Sequence, residues 1–304
     1  MKTDVSETIR IPCHDGYVLA GRFWPAQQDR MLGTVIINAA TGVLQNYYHH
    51  YARFLTGYGF AAVTYDYRGI GMSRPKNMRD ARFCWRDWGE LDFAAVVKWS
   101  RKHDPHGLLA VVGHSIGGFL PGFAPNADSV DRILAVGAQY AYWRDYAAER
   151  RKKLFVKWHL FMPAITAMLG YFPGRRLGWL EDLPAGVANE WSFRRARLES
   201  SYPAAERNAI LACFAKVRAP ILSIGTTDDE YATPQAIRRG LKYYVNSDRK
   251  YVLLKPADLN LNTLGHFSLF HPRHHALFWP KTVIWLKDGV SPWAPTESLL
   301  PRSR

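Results

Sequence analysis

The sequence predicts an α/β fold in which a doubly wound, mostly parallel sheet of eight strands carries an inserted helical segment. Short apolar segments recur along the chain, and helical patterns separate most of them, which is the order that βαβ crossovers produce. This alternation stops between residues 140 and 212 and then resumes, which indicates an insertion within one domain. A chain of 304 residues is long enough to bury the core of such a domain.

The N-terminal elements are predicted to be a hairpin followed by the first parallel strand. Residues 8–12 and 17–24 alternate in character on either side of a tight turn, as two antiparallel strands do. Residues 34–37 are a continuous apolar run, which is typical of a strand buried on both faces. This run ends in the small-residue loop 38–42, and a helical pattern follows at 46–56.

The next elements are predicted to be two further parallel strands and the helix between them. The strand at residues 61–65 ends in a loop where Asp66 and Arg68 could form an ion pair. A helical pattern at residues 87–103 then leads to a strand that begins at Leu108.

The remaining pattern continues the sheet on both sides of the insertion. Strands are predicted at residues 133–136, 221–224 and 250–254, and helical stretches at 143–169, 234–243 and 272–286. The tail after Asp288 is expected to be loosely held.

The inserted segment, residues 140–212, is predicted to form a helical cap on a core made of residues 1–139 and 213–304. An insertion between two strands of one sheet lies near the strand ends, where α/β proteins bind ligands. Trp143 and Trp158 are therefore candidates for a substrate pocket, although such large aromatic side chains could instead build the insertion's own small core.

The chain is basic, with a formal net charge of +14. Because the basic residues are spread along the chain and no nucleic-acid-binding motif accompanies them, we expect a solvated surface and no nucleic-acid partner. Basic residues at 150–153 and 194–195 lie beside the aromatic residues of the insertion, and this combination would also suit a weak contact with an anionic membrane surface. The sequence does not indicate an oligomeric state.

The expected location is the cytoplasm. The three cysteines, Cys13, Cys84 and Cys213, are an odd number without metal-ligand spacing, which suits reduced thiols. The first ten residues lack the apolar segment of a secretory signal, and no run of about 18 apolar residues is present that could span a bilayer.

The strongest candidate for a reactive group is Ser115, within the segment LLAVVGHSIGG at residues 108–118. A nucleophilic serine requires a sharp strand-to-helix turn, with small residues two positions before and two after it. Gly113 and Gly117 stand at those positions. The pentapeptide alone is a weak signal, so the partners downstream carry the assignment.

Both partners that a catalytic serine requires follow in order. An imidazole must take the hydroxyl proton, and a carboxylate must orient the imidazole. An acidic cluster at residues 228–230 follows one predicted strand, and His266 follows the last one, preceded by a glycine in a loop. His271 and His274 could suggest a metal pair, but no third ligand is nearby, so no metal is implied.

These segments together resemble the α/β-hydrolase superfamily, in particular uncharacterised predicted serine hydrolases within it. The resemblance extends over nearly the whole chain, and its motifs are DYRGIGMS at 66–73, GHSIGG at 113–118, GTTD at 225–228 and GHF at 265–267. It implies the α/β-hydrolase fold, with its serine, acid and histidine in that order along the chain. It does not imply a substrate.

The resemblance also implies roles for the remaining site residues. The acid usually lies three residues after the glycine that ends its strand, which selects Asp228, with Asp229 as the alternative. The backbone N–H of Ile116 is one expected donor of the oxyanion hole. The second is expected from Ala40 or Thr41, in the loop where family members often carry His-Gly.

The expected function is that of a serine hydrolase that cleaves an ester or thioester of a small apolar substrate through an acyl-enzyme intermediate. The aromatic insertion favours an apolar substrate, and no metal or organic cofactor is implied. Two alternatives remain open at this point, namely an acyltransferase with the same triad and a non-catalytic binding protein that retains the fold.

Overall fold

The computed structural model describes residues 6–299. Residues 1–5, on which part of the expectation about a secretory signal rests, and the end of the tail at 300–304 lie outside the described residues. The strands, numbered along the described chain, are β1 (Glu7–Pro12), β2 (Val18–Trp24), β3 (Gly33–Asn38), β4 (Phe60–Tyr65), β5 (Leu108–His114), β6 (Arg132–Val136), β7 (Tyr171–Phe172), β8 (Leu183–Pro184), β9 (Ile221–Thr226), β10 (Arg249–Leu254) and β11 (Glu297–Leu299).

One large sheet forms the centre of the molecule, in the strand order β1-β2-β4-β3-β5-β6-β9-β10-β11. The pairs from β4 to β10 are parallel, whereas β1, β2 and β11 run antiparallel to their neighbours. The doubly wound, mostly parallel sheet is thus confirmed. The chain reverses its direction of winding between β3 and β5, so the carboxyl ends of these two strands flank the crevice where such sheets bind ligands.

Within the described residues this sheet has nine strands rather than the predicted eight. The additional strand β11 pairs with β10, with Leu299 opposite Arg249. Just before β11, the backbone N–H of Thr296 donates to the carbonyl oxygen of Tyr251 at 2.7 Å. These backbone hydrogen bonds hold the segment after Asp288 at the sheet edge, so the expectation of a loosely held tail is wrong as far as residue 299.

Helices cover both faces of the sheet, and helices also form much of the insertion. They are α1 (His49–Thr56), α2 (Trp85–Asp87), α3 (Ala94–His103), α4 (Arg151–Phe155), α5 (Met162–Leu169), α6 (Gly174–Leu177), α7 (Ala185–Ser192), α8 (Arg207–Lys216), α9 (Pro234–Leu241) and α10 (Trp279–Asp288). The stretch predicted at 143–169 becomes continuously helical only from Arg151, and the last predicted helix begins at Trp279. None of the helices between residues 6 and 299 is long and apolar enough to cross a lipid bilayer.

The inserted segment contacts the loops that follow β3 and β4. A methyl group added at Gly42 would lie 2.8 Å from the Leu180 side chain, and one added at Gly69 would lie 2.3 Å from Pro184. The backbone N–H of Glu181 also donates to the carbonyl oxygen of Gly42 at 2.9 Å. The insertion therefore packs directly on the carboxyl-terminal edge of the sheet.

The loop after β4 is fixed by a buried ion pair that differs from the predicted one. Arg68 pairs with Asp92 at 2.5 Å and with Asp15 at 2.6 Å, whereas Asp66 accepts hydrogen bonds from the backbone N–H groups of Gln45 and Met72. The predicted pair of Asp66 with Arg68 is wrong, because the Asp66 carboxylate is saturated by these neighbouring amides. Arg68 and Asp92 are both buried, and Asp92 also accepts from the Arg68 backbone N–H at 2.8 Å.

Asp92→Ala is expected to lower the free energy of unfolding by about 3–5 kcal/mol, because it leaves the buried Arg68 guanidinium without its buried partner. The partly exposed i,i+4 pair of Arg86 and Glu90 provides the control, and Glu90→Ala is expected to cost about 0.5 kcal/mol. Urea denaturation of both variants measures the difference. Equal losses of unfolding free energy in the two variants would show that the buried pair of Arg68 and Asp92 is no more important for stability than the control pair.

Candidate active site

Ser115 lies at the sharp turn between β5 and a short helical turn at Ser115–Gly118. Its φ of +54° lies in the left-handed region, which is uncommon for a residue with a side chain. A methyl group added at Gly113 would lie 2.3 Å from the Cα of Gly118, and one added at Gly117 would lie 2.3 Å from the carbonyl oxygen of Asn38. Only glycine fits at these two positions, so the sequence pattern corresponds to a tight strand-to-helix turn, the geometry that a nucleophilic serine requires.

His266 lies in the loop after β10 and pairs with Asp229. Its Nδ1 is 2.7 Å from Asp229 Oδ2. The other carboxylate oxygen of Asp229 accepts hydrogen bonds from the backbone N–H groups of Tyr231 and Ala232, both at 2.8 Å. Because Nδ1–H donates to the carboxylate, Nε2 is the ring nitrogen left to accept a proton from a serine hydroxyl.

The Asp229 carboxylate is held in its ionised form. Burial by itself would raise its pKa, but the adjacent His266 imidazole and the two backbone N–H donors outweigh burial, so the pKa lies below its ordinary value. Asp229 is therefore negatively charged throughout the neutral pH range. A buried anion beside Nδ1 is the group that stabilises an imidazolium when Nε2 gains a proton.

The preference for Asp228 as the partner of His266 is corrected by this geometry. Asp228 Oδ2 instead accepts a hydrogen bond from the backbone N–H of Leu264 at 2.7 Å. The spacing argument counted from Gly225 as the end of the strand, but β9 extends to Thr226, so the third residue after the strand is Asp229. Asp228 fixes the loop that precedes His266.

Of the three backbone donors predicted for an oxyanion hole, Ile116 and Thr41 line the same pocket as Ser115 and are retained. Ala40 also lines it, but its N–H donates to the hydroxyl of Tyr48 at 2.9 Å, so that donor is engaged within the protein. Ala40 is therefore removed as a candidate donor. The Thr41 hydroxyl accepts from the indole N–H of Trp85 at 3.0 Å, which fixes this part of the loop.

His114 connects the two sides of the site without facing the pocket. Its Nδ1 accepts from the Tyr48 hydroxyl at 2.8 Å, and its Nε2–H donates to the carbonyl oxygen of His266 at 2.9 Å. Complete burial, together with the nearby His266, lowers the pKa of His114 to about 3, so the ring is neutral and can both accept and donate. The Ala40 amide, Tyr48, His114 and the His266 backbone thus form one hydrogen-bonded chain.

Ser115 and His266 line one pocket of about 210 Å³ between the sheet and the insertion. Of the two tryptophans predicted as candidates for a substrate pocket, Trp158 lines this pocket. Trp143 does not line it, and its ring packs against Phe155 at a centroid distance of 4.7 Å. Other lining residues were not predicted from the sequence: Trp85, Gln139, Ala141, Lys157, Trp179, Leu180, Trp191, Glu230, Tyr231 and Phe267.

Four tryptophans line the pocket, and three of them contact one another. The rings of Trp158 and Trp191 stack at 4.6 Å, and Trp179 meets Trp158 edge-on at 5.7 Å. The Lys157 ammonium lies 4.4 Å from the Trp158 ring centroid and 4.2 Å from that of Trp179. The abundance of tryptophan in the insertion was the only sequence signal for this wall, and it did not indicate which rings turn inward.

A family model described as the alpha/beta hydrolase family matches residues 35–277. Solved structures are similar over nearly the whole chain. A soluble variant of monoglyceride lipase from Saccharomyces cerevisiae, in complex with a substrate analogue, has 15% sequence identity and a TM-score of 0.66, and the match covers 94% of this chain and 96% of that one. DcsB in complex with its substrate analogue has 15% identity and a TM-score of 0.65, with 94% and 99% covered.

The Pyrococcus furiosus esterase Pf2001, in one of its crystal forms, has 15% identity and a TM-score of 0.61, with 95% of this chain and 92% of that chain covered. At such identities these likenesses show the fold and not the substrate. Among curated proteins, none matches this chain.

Proposed function

The chain belongs to the alpha/beta hydrolase family, and on this premise we propose that it is a serine hydrolase that cleaves an ester or thioester of an apolar substrate. One observation carries the proposal. Ser115, held at a positive φ between two obligatory glycines, lines the same pocket as His266, whose Nδ1 is hydrogen-bonded to the buried Asp229 carboxylate. A nucleophile, a base and an acid that orients the base are the parts that acyl transfer requires.

Acylation begins when Ser115 Oγ attacks the carbonyl carbon of the bound substrate and its proton passes to His266 Nε2. Asp229 holds the Nδ1–H and stabilises the imidazolium that forms. The negative charge that develops on the carbonyl oxygen is stabilised by the backbone N–H groups of Ile116 and Thr41, each contributing roughly 3–4 kcal/mol. The carbon–oxygen or carbon–sulfur bond then breaks, and the leaving alcohol or thiol takes the proton from His266.

Deacylation repeats these steps with water as the nucleophile. His266 Nε2 accepts a proton from the water while the water oxygen attacks the acyl carbon on Ser115. The second tetrahedral intermediate uses the same oxyanion donors, and its collapse releases the acid and returns the proton to Ser115 Oγ. Each step conserves the proton, so no metal ion is needed to supply a base.

The pocket wall supports an apolar acyl or alcohol group as the part of the substrate that is bound. Trp85, Trp158, Trp179 and Trp191 present rigid aromatic surface to the space beside Ser115. Burial of such surface against an apolar group contributes about 25 cal/mol for each Å² removed from water. Three of these four tryptophans belong to the insertion, which in this proposal acts as a cap.

The cap in this proposal is shorter than the predicted residues 140–212. Helix α8 runs through the predicted boundary at residue 212 and continues to Lys216. Its Phe214 packs against Phe119 and Tyr244 of the core, at centroid distances of 4.8 Å and 5.2 Å. Because α8 belongs to the core by its contacts, we place the end of the cap before Arg207.

Labelling with a fluorophosphonate probe tests the proposal. Folded protein is expected to form a covalent adduct, and peptide mass spectrometry is expected to locate the adduct on the peptide that contains Ser115. Heat-unfolded protein is the control and should remain unlabelled, because an isolated serine hydroxyl is a poor nucleophile. The absence of an adduct on folded protein would overturn the proposal and leave a binding protein with this fold.

A further inference from the structure

The helical stretch at residues 151–169 has two contrasting sides. It consists of α4, a wider helical turn at Val156–Phe161 and α5, and it runs without a break. On one side, the buried Trp158 lines the pocket. Lys157 also lines the pocket, but it precedes Leu160 and Phe161 by three and four positions and so lies beside the other side. On the other side, the outer helical face exposes its large apolar side chains to solvent: Val156 by 41%, Leu160 by 53%, Phe161 by 55% and Met168 by 82%.

The outer helical face contains few polar groups. Ala164 and Ala167 are also exposed on it, and the positions between them and Phe161 carry no charge. Single exposed apolar residues are ordinary on a protein surface, but several of them along one helix indicate a surface that contacts another apolar phase. Within the described residues, 41–82% of the surface of the four large side chains remains exposed.

The charged residues within the chain segment that contains this face are all basic. Residues 150–176 include no Asp or Glu, and their basic residues are Arg150, Arg151, Lys152, Lys153, Lys157, Arg175 and Arg176. Arg150 and Arg175 have acidic neighbours outside this range, Glu230 at 3.6 Å and Glu181 at 3.7 Å. Lys152 and Lys153 are exposed at the start of the helix, next to Val156. Along the chain, the apolar face is thus flanked on both sides by basic residues.

We propose that the outer helical face docks on the surface of an anionic lipid bilayer. In this position the side chains of Leu160, Phe161 and Met168 enter the boundary between headgroups and acyl chains, while the basic residues at both ends meet the lipid phosphates. A second copy of the chain is a poorer occupant, because pairing of identical faces would bring the two sets of basic residues together without acidic partners.

Docking itself does not depend on catalysis, but its consequence for the substrate rests on the proposed function. The helix that would lie on the bilayer is also a wall of the pocket, through Lys157 and Trp158. An apolar ester that resides in the lipid would therefore be close to Ser115 without a passage through bulk water. The substrate class that follows is an ester with a membrane-partitioning acyl or alcohol chain.

Vesicle sedimentation tests the docking. Wild-type protein is expected to bind phosphatidylcholine vesicles that contain phosphatidylglycerol at low salt, and to bind pure phosphatidylcholine vesicles less. Phe161→Glu/Met168→Glu is expected to lower the partition coefficient by at least about tenfold, because it removes two apolar contacts and adds two negative charges. Added salt should weaken the wild-type binding, since it screens the headgroup charges.

A matched control comes from the opposite end of the sheet. Ile284 and Val290 are 40% and 60% exposed. They lie near Arg132, the first residue of β6, because the Arg132 side chain donates to the carbonyl oxygen of Leu286 at 2.7 Å. Ile284→Glu/Val290→Glu changes the net charge by the same amount and should bind vesicles nearly as wild type does. Fluorophosphonate labelling of each variant checks the site separately from binding.

The outcomes separate the alternatives. Loss of binding in the Phe161 and Met168 variant alone supports the docking, whether or not the protein is labelled by the probe. Absence of wild-type binding to anionic vesicles at low salt, or an equal loss in both double variants, would overturn it. A concentration-dependent dimer in sedimentation velocity that the Phe161 and Met168 variant abolishes, without vesicle binding, would overturn it in favour of a second copy.

Discussion

Ser115→Ala is expected to lower kcat for a p-nitrophenyl ester by about 10⁶-fold, to the residual rate that oxyanion donors and binding alone provide. The methyl side chain cannot form the acyl bond, so His266 and Asp229 have no proton to move. The same variant should lose the fluorophosphonate adduct completely. The fold should be retained, because alanine keeps the Cβ that already occupies the left-handed conformation at this position.

Thermal denaturation and a second variant make this result interpretable. Ser115→Gly also removes the hydroxyl, but glycine adopts a positive φ without cost, so this variant should melt at or above the temperature of Ser115→Ala. Both are expected to be inactive. Turnover within about tenfold of wild type in either variant would contradict the role of Ser115, since neither an alanine nor a glycine can form the acyl bond.

The sequence predicted the parts of this molecule that depend on local pattern. The eight predicted strands are present because each is a short apolar or alternating run bounded by turn residues. The two glycines around Ser115 were predictable because the tight turn admits no Cβ at either position. His266 was predictable from its place after the last parallel strand, which brings it to the same sheet edge as the serine.

The predictions that were wrong concern features that depend on contacts between distant segments. The choice between Asp228 and Asp229 turned on a strand that extends one residue further, to Thr226, because β9 pairs with β10 through that residue. Ala40 is no longer a candidate oxyanion donor, because its backbone N–H donates to the hydroxyl of Tyr48, eight residues further along the chain. Neither the strand end nor this hydrogen bond has a signature in the residues themselves.

The pocket wall shows the same limit. Apolar pattern predicts that a tryptophan is buried, but not toward which cavity its ring turns. Trp143 and Trp179 lie in the same insertion, yet Trp143 packs on Phe155 and Trp179 lines the pocket. Trp85 lies outside the insertion, where no pattern suggested a pocket, and it reaches the site through its hydrogen bond to Thr41.

Asp229→Asn is expected to lower kcat by about 10⁴-fold, whereas Asp228→Asn should stay within about tenfold of wild type. An Asn amide at position 229 allows the His266 ring to place its proton on Nε2, and that nitrogen then cannot accept the serine proton. An Asn at position 228 still offers a carbonyl oxygen to the Leu264 N–H, so the loop before His266 keeps its hydrogen bond. The two substitutions are chemically identical and adjacent, so each is the control for the other.

The pH dependence adds a second test of the same pair. The pKa of Asp229 lies below its ordinary value, so its ionised form contributes stability that is present above the unfolded-state pKa and is lost only as pH falls through the lower, folded-state value. Asp229 itself therefore stays ionised from about pH 5 to 8, and its own titration should add no step to the pH profile of wild-type activity in this range. A larger loss of activity in Asp228→Asn than in Asp229→Asn would mean that Asp228 orients His266 during turnover.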